Sequence, residues 1–161
     1  MQIPLLIDDR TQTLLSVHRR LQIWFGHQPD APLRDPVTQM VKSMLGARTR
    51  GPVSLQAMVD LQRRFGGWDQ VRVAPICAIE ETIRPVTFAA DKALRLRDAL
   101  AMIMAENHAM TLDNLAAMGV TEALPWLERL PGVGRKVSAS VLNQTPLRKR
   151  ALVIDTHHLR V

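Results

Sequence analysis

The sequence predicts an all-α protein, and three observations predict it. Apolar residues recur at helical spacing in one segment after another. Along 35–45, for example, Val37, Met40, Val41, Met44 and Leu45 sit at i, i+3, i+4, i+7 and i+8. The composition is rich in Leu, Ala, Met, Arg and Gln and contains no Tyr, which favours helix over strand. No alternation of apolar and polar residues lasts for the length of a strand. At 161 residues the chain reads as one domain, 1–161, and 47% hydrophobic residues suffice for a real core. The net charge of +6 points to a polyanionic partner, most often nucleic acid.

The N-terminal part, 1–34, is a helix and a connection. Thr11 to Phe25 is amphipathic, with Leu14, Leu15, Val17, His18, Leu21, Ile23 and Trp24 on its apolar side, and Gly26 stops it. Gln28 to Leu33 contains Pro29 and Pro32 and is therefore extended. Residues 35–118 form a helical bundle. Asp35 and Pro36 open its first helix as N-cap and first-turn proline. That helix ends in the polar run Gly46-Ala47-Arg48-Thr49-Arg50-Gly51. Pro52 starts the next, which carries Leu55, Met58, Val59, Leu61 and Phe65 and stops at Gly66-Gly67. Two short helical pieces follow, split near Pro75. Thr87 is placed to cap a long helix reaching about Asn107, and Thr111 to cap a short one ending near Met118.

Residues 121–143 form two helices around a hairpin. Thr121 to Arg129 presents Leu124, Trp126 and Leu127, and Val137, Val141 and Leu142 mark the second helix. Between them lies the tight turn Pro131-Gly132-Val133-Gly134. Its glycines permit positive φ and leave backbone N–H groups uncovered. The start of the second helix offers unpaired amides and a partial positive charge, which suit a phosphate oxygen. Val133 plugs the space between the helices. A linker, Gln144 to Ala151, carries the basic run Arg148-Lys149-Arg150. Residues 153–161 hold an acidic loop with Asp155, an N-cap candidate, and the start of a further helix.

The block Leu130-Pro131-Gly132-Val133-Gly134-Arg135-Lys136, followed by Val153-Ile154-Asp155-Thr156-His157, resembles the helix–hairpin–helix DNA glycosylases, and among them the endonuclease III branch. The segment Ile83 to Ala93, with its Lys92-Ala93 pair, extends the resemblance upstream. It implies the helix–hairpin–helix glycosylase fold, C-terminally truncated here, since family members usually continue with further helices. In many of them four later cysteines hold an iron–sulfur cluster. A 4Fe-4S cofactor is therefore expected only if the natural protein continues beyond Val161, and none is expected within this chain.

The resemblance assigns Lys136 as the Schiff-base lysine and Asp155 as the catalytic aspartate. The chemistry needs a lysine that presents a free amine, and the start of a helix is a suitable place for one. A deprotonated amine attacks the sugar C1′, the base leaves, and β-elimination cuts the strand. Asp155 assists deprotonation and stabilises positive charge on the sugar. The nucleotide must first be extruded from the duplex, at a cost of a few kcal/mol, least for damaged or missing bases. Expected DNA contacts are Gly132, Val133, Gly134, Arg135, Arg148, Lys149 and Arg150. Arg48 falls near the position where the family often has a glutamine that fills the gap left by the extruded base.

The expected function is base-excision repair by a bifunctional glycosylase and abasic-site lyase, acting on oxidised pyrimidines if the endonuclease III branch is followed. Lys136 argues against the adenine-removing branch, whereas the oxidised-guanine branch shares it. The alternatives are a non-catalytic helix–hairpin–helix DNA-binding module or inactive fragment, and a basic helical domain contacting RNA. The partner is double-stranded DNA with a damaged or abasic nucleotide, and the chain is expected to be a monomer. Adjacent His157 and His158 point about 100° apart on a helix, so no metal is assigned to them. The single cysteine, Cys77, makes no internal disulfide and is expected to be buried. With no run of ~18 apolar residues and no basic leader, a reducing compartment is expected, cytoplasmic and nucleoid-associated in a bacterium or nuclear in a eukaryote.

Overall fold

The computed structural model describes residues 9–27 and 33–155. It divides the chain into two compact units, Met1–Pro32 and Leu33–Val161. The described part of the first unit is helix α1, Asp9–Phe25, closed by Gly26 at φ 71°. No α1 side chain is buried.

The second unit is helical throughout its described residues. Helix α2, Pro36–Gly46, begins as the sequence predicts, with the Asp35 carboxylate accepting the Thr38 amide at 2.9 Å. Its predicted stripe is the core, where Val37, Met40, Val41, Met44 and Leu45 are all buried. Helix α3, Gly51–Phe65, buries Met58 and Leu61 but leaves Leu55 and Val59 exposed, so its apolar face is narrower than its sequence suggests. Helices α4, Trp68–Val73, and α5, Ile76–Thr82, are the two pieces around Pro75. The Trp68 indole donates to Thr38 Oγ1 at 2.8 Å and ties α4 to α2. Cys77 is exposed, contrary to expectation, because Ile79 takes the buried position of this short helix.

Helix α6, Ala89–Asn107, packs on α2, α4 and α5 and buries Leu96, Leu100 and Ile103 completely. Thr87 is not its N-cap. That position belongs to Phe88, at φ 60°. Thr87 is drawn away because its hydroxyl donates to the Arg48 carbonyl at 3.0 Å and its amide donates to Thr49 Oγ1 at 3.2 Å. A 3-10 turn, Asp113–Ala116, follows, with Thr111 Oγ1 accepting the Asp113 amide. Helix α7, Val120–Glu128, starts where Glu122 returns to the Gly119 amide at 3.1 Å. After the hairpin comes α8, Arg135–Asn143.

Helix α8 lies on both α7 and α2. A buried polar seam holds it there: Gln39 Nε2 donates to Ser140 Oγ at 2.8 Å and to Gln144 Oε1 at 3.1 Å. Polar groups so paired fix register, since a slip would leave them unsatisfied. The second half of α8 is thereby set against α2. No described helix is long and apolar enough to cross a membrane.

Candidate active site

The hairpin is built as its sequence dictates, with one difference. Leu130 and Val133 are buried, and the Val133 amide donates to the Leu130 carbonyl at 3.0 Å, closing the turn. Gly132 has φ 78°, a conformation that only glycine adopts cheaply. A Cβ there would lie 2.9 Å from Met44 Cε and 3.1 Å from Arg95 Cβ. Gly134 differs. Its φ is −105°, open to any residue, and a Cβ would meet nothing within 4 Å. Only one of the two glycines is needed by the fold. The other leaves open space before the first turn of α8, where amides have no intrahelical partner.

Lys136 stands in that first turn, exposed, with Nζ 3.3 Å from Oδ2 of the half-buried Asp155. The two residues lie 19 positions apart in the chain. The return path is fastened by Lys149, whose amide donates to the Leu142 carbonyl at 2.8 Å. The Lys149 ammonium donates to the carbonyls of Met118 and Ala116, at 2.6 and 3.1 Å. Lys149, expected on phosphate, thus braces the loop that brings Asp155 to Lys136. Arg148 and Arg150 are exposed on either side of it. Arg135 is exposed and reaches Glu128 at 3.3 Å, and Glu128 also accepts from Ser138 Oγ at 3.2 Å.

Sequence reasoning missed a second lysine. The Lys42 ammonium is held below the usual lysine value, first by burial and then by the charges of Arg34 and Lys136. Lys42 and Arg34 therefore add positive potential beside Lys136. Position 42 lies outside the apolar stripe of α2, a faint signal that a surface lysine also gives.

Arg48 and Phe88 form a second cluster. Both have left-handed backbones, at φ 54° and 60°, and the Arg48 guanidinium lies 5.9 Å from the Phe88 ring centre. Phe88 is 59% exposed, unusual for a large aromatic ring. They line a cavity of about 420 Å³ with Met44, Asp91, Arg95 and Gly132. The signal for Phe88 was present in the sequence as an aromatic at a loop–helix junction. Beneath the pair, Lys92 donates to the carbonyls of Leu45 at 2.8 Å and Ala47 at 2.6 Å, and to Thr49 Oγ1 at 3.3 Å.

Burial lowers the Lys92 pKa, partly countered by Asp91. The unfolded chain then binds more protons than the folded one between the lowered value and the usual 10.5, so stability rises with pH across that window. A neutral amine keeps two N–H groups for the two carbonyls. The expected result is a melting temperature that climbs with alkaline pH relative to Lys92→Met, which removes the titration.

Among the described residues no group of three or more His, Cys, Asp or Glu is placed to hold a metal. His157 and His158 lie outside the described residues, as does the cap that Asp155 was expected to form on the following helix. A four-cysteine cluster does not fit this chain, whose one cysteine is exposed on α5.

No family model matches the chain. A protein of Arabidopsis thaliana provisionally named a DNA glycosylase is 30% identical over 118 residues, covering 73% of this chain and 40% of that protein. Solved structures share the fold. An endonuclease III–DNA covalent intermediate matches with TM-score 0.74 and 19% identity, over 94% of this chain and 66% of that one. A thermostable thymine-DNA glycosylase matches with TM-score 0.74 and 17% identity, over 92% and 64%. The 8-oxoguanine glycosylase/lyase of Clostridium acetobutylicum, bound to DNA, matches with TM-score 0.73 and 14% identity, over 91% and 53%. The chain thus has the all-helical fold of the endonuclease III-like helix–hairpin–helix glycosylases, and spans 40% of the curated relative and 66% of endonuclease III.

Proposed function

We propose that this chain acts in base-excision repair as a DNA glycosylase and abasic-site lyase on double-stranded DNA carrying a damaged or abasic nucleotide. The observation that carries the reading is the 3.3 Å approach of the Lys136 amine to the Asp155 carboxylate at the start of α8. Two such groups from distant chain positions, at the mouth of a hairpin with open amides, suit attack on a sugar held by its phosphates. The fold shared with three DNA glycosylases supports it.

In the proposed reaction Lys136 gives its proton to Asp155 and Nζ bonds to C1′. The C1′–N bond to the base breaks, and the base leaves with the electron pair and takes up the proton that Asp155 received, so that Asp155 is ionised again. Opening of the C1′–O4′ bond, with a proton passing from nitrogen to oxygen, gives the imine. Loss of a C2′ proton then expels the 3′ phosphate. Asp155 also stabilises the cationic sugar as the base departs. Gly134, Arg135 and the first amides of α8 hold the flanking phosphate, with Arg148, Arg150, Lys42 and Arg34 widening the positive field. Arg48 and Phe88 occupy the gap left by the extruded nucleotide, Arg48 by hydrogen bonds and stacking and Phe88 as an apolar wedge.

Oxidised pyrimidines are the proposed substrates. The test is a set of duplexes with one lesion each, incubated with the chain and resolved for free base and for cleaved strand. Release of an oxidised pyrimidine with strand cleavage is the expected result. Binding with a steep salt dependence but no release from any lesion would shift the assignment to a non-catalytic DNA-binding module.

Lys42 gives a separate expectation. If Lys42 pairs with one phosphate, Lys42→Met lowers the slope of log affinity against log salt by about 0.9. Folding stability does not fall, because a partly desolvated charge beside Arg34 and Lys136 is relieved. Anisotropy titrations at several salt concentrations, with a melting curve, check both parts.

A further inference from the structure

We propose that Lys92 is a positioning residue for the DNA gap, setting Arg48 and Phe88 in the conformations that let them enter a duplex. The inference rests on the glycosylase reading above and extends it to a residue that touches no DNA.

The geometry is a clamp. Lys92 is 92% buried, on the first turn of α6, and its three N–H groups meet three acceptors on the neighbouring loop. Two are carbonyls at the C-terminal end of α2, Leu45 and Ala47, where helical carbonyls lack intrahelical partners and the helix dipole is negative. The third is Thr49 Oγ1, which also accepts the Thr87 amide at 3.2 Å. The Thr87 hydroxyl in turn donates to the Arg48 carbonyl at 3.0 Å. One buried ammonium thus joins the 46–51 loop to the 84–88 loop, and the residues pinned between them are Arg48 and Phe88.

Both are non-glycine residues in the left-handed region, a conformation that persists only where the surroundings over-determine it. Ordinary capping explains a lysine on the α2 carbonyls. It does not explain why two strained, exposed side chains lie side by side above that lysine. A loop that relaxed would lose the pairing of Arg48 with Phe88 before it lost the core, because Met44, Leu45 and Leu96 are buried independently of it.

The test compares wild type, Lys92→Met and Lys92→Arg on one abasic site, presented in a duplex and in a single strand, with 2-aminopurine opposite the site in the duplex. Insertion of Arg48 and Phe88 unstacks the 2-aminopurine and raises its fluorescence. Folded Lys92→Met is expected to lose that rise and to slow imine trapping on the duplex by up to about 100-fold. Trapping on the single strand, where nothing needs extruding, is expected to stay within about twofold of wild type. Lys92→Arg is expected to recover part of the duplex response. A purely structural role would lower both substrates together. Equal loss on both, or a folded Lys92→Met with the wild-type fluorescence rise, overturns the assignment. If Lys92→Met does not fold, Thr87→Val, which removes only the hydroxyl bond to Arg48, is expected to reduce the duplex response alone. An unchanged response in Thr87→Val likewise overturns it. Wild type without trapping on either substrate removes the glycosylase reading itself, a failure distinct from these.

Discussion

Gly132→Ala is expected to destabilise the protein by roughly 2–4 kcal/mol, whereas Gly134→Ala is expected to stay within about 0.5 kcal/mol of wild type. The two glycines are neighbours in one motif, and their backbones explain the difference. Gly132 lies at φ 78°, where any Cβ costs about 1–2 kcal/mol. The added carbon would also stand 2.9 Å from Met44 Cε and 3.1 Å from Arg95 Cβ. Met44 can turn its methyl into the adjacent cavity, but Arg95 Cβ is fixed to the α6 backbone and cannot retreat. The melting temperature of Gly132→Ala should fall by about 10 °C. Gly134 lies at φ −105° with open space around it, so its methyl strains nothing within the protein. On the proposed reading a phosphate approaches the α8 amides beside it, so Gly134→Ala should bind a duplex more weakly while melting normally. Melting curves and anisotropy titrations of both variants check this. Equal melting temperatures would show that Gly132 does not hold a left-handed backbone against Met44 and Arg95.

Asp155→Asn is expected to separate catalysis from binding. The amide keeps the size and hydrogen-bonding position of the carboxylate but not its charge. The rate of imine formation should fall by roughly 10²–10⁴-fold, the range of a lost general base. DNA affinity should hold or rise, because a negative charge has left a surface proposed to face phosphates. Lys136→Ala should remove imine formation altogether, a loss on the order of 10⁴-fold or more. Single-turnover assays alongside equilibrium binding give both readouts. Parallel falls in affinity and rate in Asp155→Asn would mean that the residue supports the loop rather than the reaction.

Much of this was legible in the sequence. The stripe of Val37, Met40, Val41, Met44 and Leu45 gave α2 and its buried face, because 3.6-residue periodicity maps directly onto burial. Asp35-Pro36, Gly66 and the Pro131 to Gly134 turn gave element ends for local stereochemical reasons. The approach of Lys136 to Asp155 was legible only through the family resemblance, since no local rule joins residues 19 apart. What the sequence could not give depends on tertiary competition for hydrogen bonds. Thr87 has the right side chain for an N-cap, yet Arg48 and Thr49 claim its hydroxyl and amide. Lys149 sits in a basic run that reads as phosphate-binding, yet Ala116 and Met118 hold its ammonium. Cys77 looked buried from its apolar neighbours, but a two-turn helix buries one side only, and Ile79 has it. Lys42 stands out only once α2 and α8 are brought side by side, and the place of Phe88 beside Arg48 only once the loops before α3 and α6 are.

Lys136 is proposed as the nucleophile. The most direct test is borohydride reduction of the wild-type protein on a duplex with one abasic site, followed by digestion and mass mapping of the lysine that carries the sugar. The adduct is expected on Lys136, absent in Lys136→Ala and present in Lys42→Met. An adduct mapped to Lys42, or no adduct from protein that binds the duplex, would contradict it.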